Sequence, residues 1–204
     1  MSQRPPSRHT LRITGGNLSR RRILAPEDQA IRPTADKVRQ AIFNTLNARG
    51  LVEGAVVLDA FCGTGAMGLE ALSHGADHAI LFDLSPAAVR LCARNAASLG
   101  LDRQVTIRHA DATRPGPRPE ALHPATLVFL DPPYDKGLSP KAFTALLQNG
   151  WIASRATLVL ETARTEVSPW NDTTLWPRKV KMEFQSEKCY GDTRVLVWTM
   201  EETE

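Results

Sequence analysis

Short apolar runs alternate along this chain with segments whose apolar residues recur every three or four positions. Ala55 to Ala60, His78 to Asp83, Val105 to His109, Thr126 to Leu130 and Thr157 to Glu161 read as buried strands. Helical spacing follows Gly65 to about Ser73, runs from Ser85-Pro86 to Gly100, and runs again from Ser139-Pro140 to near Gly150. Each Ser-Pro pair offers an N-cap and a proline at the first helical position, where no amide hydrogen is needed. Between the third and fourth strands, Pro115 to Pro124 predicts a proline-rich loop. Upstream, Val38, Ile42 and Leu46 form one stripe with Ala41 and Thr45. Thr34 is the expected N-cap of that helix, Asp36 lies in its first turn, and Gly50 suits its end. Repeated strand-helix units with apolar strands predict an α/β fold, a mostly parallel sheet covered on both faces.

Both ends depart from this rhythm. Leu11 to Thr14 and Arg20 to Leu24 flank Gly15-Gly16, which predicts a β-hairpin. Isolated two-stranded hairpins are marginal, so this one must dock on the body or order on a partner. After Arg164, Val180 to Phe184 and Arg194 to Thr199 predict two strands joined through Cys189-Tyr190-Gly191-Asp192, an antiparallel hairpin at the sheet edge. With the five strands above, that makes seven. The expected organisation is a disordered start (1–10), a hairpin extension (11–33) and one main domain (34–204).

Charge changes the picture of the hairpin. Residues 1–40 hold nine Lys/Arg against three Asp/Glu, and the remainder sixteen against nineteen, for a net +3 over 204 residues. A basic arm on a slightly acidic body suits a polyanion, whose condensed counterions it would displace. Arg20, Arg21, Arg22, Arg32 and Arg39 are the candidate phosphate contacts, with solvated arginines as the plainer reading. Trp170 and Trp176 suit core or edge packing better than stacking on a base. No apolar run approaches the ~18 residues of a membrane span. Cys62, Cys92 and Cys189 are odd in number and lack a Cys-x-x-Cys pair, so neither a disulfide frame nor a zinc knuckle is signalled. A reducing cytoplasm, a monomer and no metal are expected.

Chemistry concentrates at strand ends. Asp131-Pro132-Pro133-Tyr134 follows the fourth strand, and neither proline can extend its ladder. What remains is a carboxylate, a free carbonyl and an aromatic ring. Those groups could hold a flat base by its exocyclic amino group, although Asp, Pro and Tyr also make ordinary turns. Gly63-x-Gly65-x-x-Gly68 is a glycine-rich turn from strand to helix, a pattern that dinucleotide enzymes share. Asp59, four residues before it, would repel a pyrophosphate and attract an amino group or a sulfonium. Asp83 stands twenty residues beyond Gly63, where a carboxylate can accept ribose hydroxyls. Asp111 follows the third strand. In an open α/β sheet, Asp59, Asp83, Asp111 and Asp131 would line the ligand-binding rim.

These residues resemble the class I S-adenosylmethionine-dependent methyltransferases of exocyclic amino groups. Arg12-Ile13-Thr14-Gly15-Gly16, Arg32-Pro33-Thr34 with Val38-Arg39, and Tyr190-Gly191-Asp192-Thr193 narrow the resemblance. The chain is similar, over residues ~11 to 199, to the RsmD-type guanine-N2 methyltransferases of small-subunit ribosomal RNA. The resemblance implies a Rossmann-like fold and a methyl donor held by Asp59, Phe61, Gly63, Gly65, Gly68, Asp83, Leu84, Asp111, Ala112 and Asp131. It implies transfer at Asp131, Pro132 and Tyr134, and a small-subunit ribosomal RNA substrate inside a ribosomal particle or assembly intermediate. Asp-Pro-Pro-Tyr is common to DNA and protein amino methyltransferases, so those remain open. An RNA-binding assembly factor and a nicotinamide oxidoreductase fit the intact acids less well. The cysteines lack a preceding proline and a paired base, which disfavours covalent pyrimidine chemistry.

Overall fold

The computed structural model describes residues 10–26, 33–133, 137–165 and 180–202. Nine strands and four helices occupy these segments. The seven-stranded sheet has the order β5-β4-β3-β6-β7-β9-β8. Its members are β3 (Val56–Asp59), β4 (His78–Asp83), β5 (Val105–His109), β6 (Ala125–Leu130), β7 (Ile152–Ala163), β8 (Val180–Tyr190) and β9 (Thr193–Glu202). The first five run parallel, while β9 is antiparallel to both β7 and β8. The fold class is the one expected, α/β with an antiparallel edge hairpin.

Strand alternation splits the core in two. Val57, Leu81, Phe129 and Val159 pack in a cluster with α1 (Pro33–Ala48), α2 (Ala66–Ser73) and α3 (Pro86–Leu99). Leu58, Phe82, Leu130 and Leu160 pack in the other with α4 (Leu138–Gln148) and Trp151. Chain direction explains the split. From β3 the crossovers step to β4 and β5, and from β6 they step the other way to β7. Right-handed crossovers therefore put their helices on opposite faces. On the α4 side the proline-rich loop stands where a helix would otherwise cover β4 and β5. It is pinned by Trp151 Nε1 donating to Gly116 O at 2.8 Å and by Arg118 Nε donating to Gly150 O at 2.6 Å.

Several boundaries differ from the sequence reading. The strand expected over Thr157 to Glu161 runs from Ile152 to Ala163, because β9 pairs with its far end as well as its middle. The edge strands are longer too, closing on a two-residue turn at Gly191-Asp192. Helix α1 starts at Pro33, one residue before the expected cap Thr34, so proline occupies the first turn. The Ser139-Pro140 start is also moved: α4 begins at Leu138 after Gly137 in the left-handed region (φ 57°), and Ser139 is buried inside the helix. Ser85 behaves as expected, its side chain accepting the Ala88 amide.

The N-terminal hairpin, β1 (Thr10–Arg12) and β2 (Arg22–Leu24), docks on the body. Ile13 and Ile23 enter the helix-side core. Asn17 N donates to Ser73 O at 2.7 Å, and the Asn95 side chain takes the Leu24 amide and returns a bond to its carbonyl. The Gly15-Gly16 turn comes so close to α2 that a Cβ on Gly16 would lie 1.9 Å from the Ser73 carbonyl oxygen. Gly16 (φ 72°) is required there by contact as well as by turning, while a Cβ on Gly15 would press on the His74 ring.

Candidate active site

Buried in α2 beneath the hairpin lies Glu70, an acid in an otherwise apolar stretch. One oxygen accepts the Thr14 hydroxyl at 2.7 Å and the Gly15 amide at 2.8 Å; the Thr14 amide reaches both oxygens. Arg39 Nε donates to the other oxygen at 2.9 Å. Arg39 also bonds Asp36 at 2.8 Å and the Arg12 carbonyl, and only 4% of its surface is exposed. This corrects the expectation that Arg39 contacts RNA. Its donors face inward, and withdrawing them would take the guanidinium from the buried Glu70 charge, leaving Thr14, Gly15 and His74 Nε2 at 3.5 Å. Arg20, Arg21 and Arg22 are exposed on the hairpin, with Arg21 donating to Ser98 O at 3.1 Å. Arg32, Tyr134, Trp170 and Trp176 lie outside the described residues.

Where the sheet order reverses, between β3 and β6, the strands' C-terminal ends open into a cleft of ≈ 960 Å³. Phe61, Asp83, Leu84, Asp111, Ala112, Asp131 and Pro132, all expected at the site, line it together. Asp83 spans the glycine turn: one oxygen accepts the Gly63 amide and the other the Ser85 amide, each at 2.8 Å. Each oxygen keeps a second lone pair, and Asp83 lines the cleft. Gly63 (φ 52°) has open space where a Cβ would sit. Gly65 begins α2 against Cys92, and Gly68 brings the helix so near β4 that a Cβ would lie 2.3 Å from Leu81 Cδ2.

Asp59 was expected on the rim, but it is sealed beneath it, 2% exposed. Burial pushes its carboxyl up to about 7, Asp83 adds to the rise, and the backbone amides of Gly68 and Phe61 oppose it. Its Oδ2 has no hydrogen-bond partner among the described residues. Asp111 behaves oppositely. The Thr113 hydroxyl at 2.6 Å, then the Thr113 amide and Arg114, hold its carboxyl below the usual range. Asp131 faces the cleft. Protein crowding around its inner side, with Glu161 and then Asp59 nearby, raises its carboxyl well above the usual range. Cys62 is inert: its thiol donates to Cys92, and that bond together with burial pushes it far up.

The sequence reading missed Lys141 and Arg114, the cations that line the cleft among the described residues, and Glu161 on β7, whose charge reaches Asp131. Arg114 lies 3.8 Å from Asp111. Lys141 makes no ion pair among the described residues. No local signal marked them, because lone charges on an amphipathic helix or at a strand end look like a solvated face. No cluster of His, Cys, Asp or Glu suited to a metal occurs among the described residues.

An open sheet of this order, with its cleft at the switch point and Asp-Pro-Pro after β6, defines a methyltransferase of Rossmann-like fold. The comparisons with known proteins then make the assignment narrower. The family described as conserved hypothetical protein 95 matches residues 11–199, and the chain belongs to it, as an RsmD-type methyltransferase. Over 151 residues it is 34% identical to ribosomal RNA small subunit methyltransferase D of Escherichia coli strain K12, covering 74% of each chain. It is 27% identical over 176 residues to the protein of the same name from Haemophilus influenzae, 85% of this chain and 90% of that one. The solved structure of yhhF from Escherichia coli superposes with a TM-score of 0.76 at 29% identity, over 96% of this chain and 100% of that one.

Proposed function

We propose that this methyltransferase transfers a methyl group from S-adenosylmethionine to the exocyclic N2 of a guanine in small-subunit ribosomal RNA. The observation that carries the reading is Asp131-Pro132 on the wall of the switch-point cleft, in the electrostatic reach of the sealed acid Asp59. The ribosomal substrate is taken over from the named relatives and fits the exposed arginines of the hairpin.

The residues present suit the cofactor. Asp59 Oδ2, buried and without a donor, matches an amino group. The spare lone pairs of Asp83 match ribose hydroxyls, the open side of Gly63 admits a ligand, and Phe61 and Leu84 offer apolar walls. Asp111 and Ala112 close the cleft at the β5 end. When bound, S-adenosylmethionine supplies an electrophilic methyl on a sulfonium.

The protein's task is to make a poor nucleophile attack in line. Guanine N2 delocalises its lone pair into the ring. Accepting one N–H at the Asp131 carboxylate and another at the Pro132 carbonyl favours a tetrahedral nitrogen with its lone pair aimed at the methyl carbon. The proton displaced from N2 passes to Asp131, whose raised affinity for protons suits an acceptor. Tyr134 would stack on the base, worth ~1–3 kcal/mol by analogy with other aromatic platforms. The base must be unpaired or turned out of its helix to enter. We take the enzyme to act as a monomer in the cytoplasm, on a small-subunit particle or assembly intermediate.

Tritiated methyl transfer from S-adenosylmethionine into small-subunit particles and into deproteinised small-subunit RNA, followed by nucleoside analysis, tests this. N2-methylguanosine is expected, with particles the better substrate. Label in another nucleoside, or only in DNA or protein, overturns the reading.

A further inference from the structure

We propose that the RNA backbone is gripped by a composite basic surface, in which Arg90 and Arg94 on the outer side of α3 continue the arginines of the hairpin. The inference rests on the RNA reading and deepens it, adding phosphate contacts on the main body to those of the basic arm.

Far apart in sequence, the two parts are joined by packing. Residues 10–26 and 85–101 carry Arg12, Arg20, Arg21, Arg22, Arg90 and Arg94, and neither stretch holds an Asp or a Glu. Asn95, buried in α3, accepts the Leu24 amide at 2.8 Å and donates to the Leu24 carbonyl at 3.0 Å. Its side-chain nitrogen also donates to Thr64 O at 2.9 Å, in the glycine turn. Hairpin, α3 and glycine turn are therefore fixed relative to one another. Pro86, Arg90, Arg94 and Ser98 recur every four residues and form one row along the helix. All four are exposed, while Cys92, Asn95, Ala96 and Leu99 are buried. Arg21 completes the row, its guanidinium donating to the Ser98 carbonyl at 3.1 Å. From Arg90 to Ser98 the helix advances about 12 Å. At its other end α3 starts from the cleft, since Leu84 lines the cleft and Ser85 caps the helix. The row thus runs from the hairpin to the cleft edge.

Local preferences do not account for these arginines. Arg12 and Arg22 are exposed and directly opposed across the hairpin, where like charges repel. Arg20 has a positive φ of 69°, alone in this among the described non-glycine residues, and glycine would hold that conformation more readily. No carboxylate pairs with any of the six among the described residues. Phosphates relieve the repulsion, and binding gains from the counterions they release. The surroundings suit a nucleic-acid backbone better than a protein. Beside the arginines, the exposed side chains of α3 include Ala87, Ala93 and Ala97, all small. Protein interfaces centre on large anchors. Among the described residues the large exposed apolar side chains are Leu84, at the cleft, and Phe184, on β8. Small neighbours let a sugar-phosphate chain lie close, where guanidinium forks match phosphate oxygens.

The test is filter binding of the full-length enzyme to deproteinised small-subunit RNA and to small-subunit particles over a range of salt. Arg90→Ala combined with Arg94→Ala should lower the slope of log K against log salt by about 0.7–0.9 per contact, roughly 1.4–1.8 for the pair. The loss should be equal across RNA sequences. Alanine suits an exposed helix position, so the melting temperature and the affinity for S-adenosylhomocysteine should match the parent. Arg90→Lys with Arg94→Lys keeps both charges and should restore the slope, a rescue that a merely structural role does not predict. An unchanged slope in the double alanine variant overturns the proposal. So does weaker binding to particles with binding to deproteinised RNA intact, which would assign this face to a protein of the particle. A parent enzyme that neither binds nor methylates small-subunit RNA would instead sink the underlying RNA reading.

Discussion

Arg39 donates to Glu70 at 2.9 Å across 31 residues of sequence, and both side chains are closed off from solvent. Glu70 holds Thr14 and Gly15 at the same time, so one carboxylate joins α1, α2 and the basic hairpin. Removing either partner breaks a buried guanidinium-carboxylate contact, leaving Arg39 with Asp36 or Glu70 with Thr14, Gly15 and His74. Arg39→Ala and Glu70→Ala should each cost on the order of 3–5 kcal/mol in urea unfolding. Methyl transfer per folded molecule should fall far less for Arg39→Ala at low temperature. A large loss of RNA affinity without a loss of stability would return Arg39 to the RNA interface.

Asp131→Ala should lower the rate of transfer by roughly 10²- to 10⁴-fold, the range for a positioned proton acceptor. Calorimetry with S-adenosylhomocysteine should show affinity within a few-fold of the parent, because Asp59, Asp83 and the glycine turn are untouched. Activity that survives the change rules out Asp131 as the amine clamp.

Asp59 makes stability depend on pH in an unusual direction. Its carboxyl titrates near 7 when folded, against 3.8 for a free aspartate. Between those values the native state holds a proton that the unfolded chain has lost. Stability is therefore fully present below about pH 4 and falls as pH rises through 7, by on the order of 4 kcal/mol. Asp131 shifts in the same direction, so the slope belonging to Asp59 is the part that Asp59→Asn removes in urea titrations across that window. A ligand amino group needs the ionised acid. Affinity for S-adenosylhomocysteine should rise with pH through about 7, with proton release detectable as buffer-dependent heat.

Arg20, Arg21 and Arg22 are exposed and can be replaced by alanine without opening the core. Each one that touches a phosphate should reduce the slope of log K against log salt by about 0.7–0.9, uniformly across RNA sequences. Filter binding to small-subunit RNA at several salt concentrations measures this. An unchanged slope in the triple variant places the hairpin outside the RNA contact.

Much of the architecture was legible in the order of residues. Strand runs, the Ser85-Pro86 helix start and the spacing of Asp59, Asp83, Asp111 and Asp131 are local patterns, set by period and by turn chemistry. The sheet's C-terminal edge then follows, since parallel strands end together. Other features needed the assembled chain. Arg39 looked like a free cation because nothing near it in sequence reveals Glu70. Asp83 looked like a ribose acceptor alone, yet it first ties Gly63 to Ser85. Glu161 reads as an ordinary strand end until β7 settles beside β6. By itself the sequence determined the order of strands, helices and turns, though not where each ends, and which acids fall at strand ends, because backbone periodicity is a short-range property. Only the tertiary structure decided which charge faces which, because desolvation and pairing depend on neighbours that packing brings in from 31 or 56 residues away.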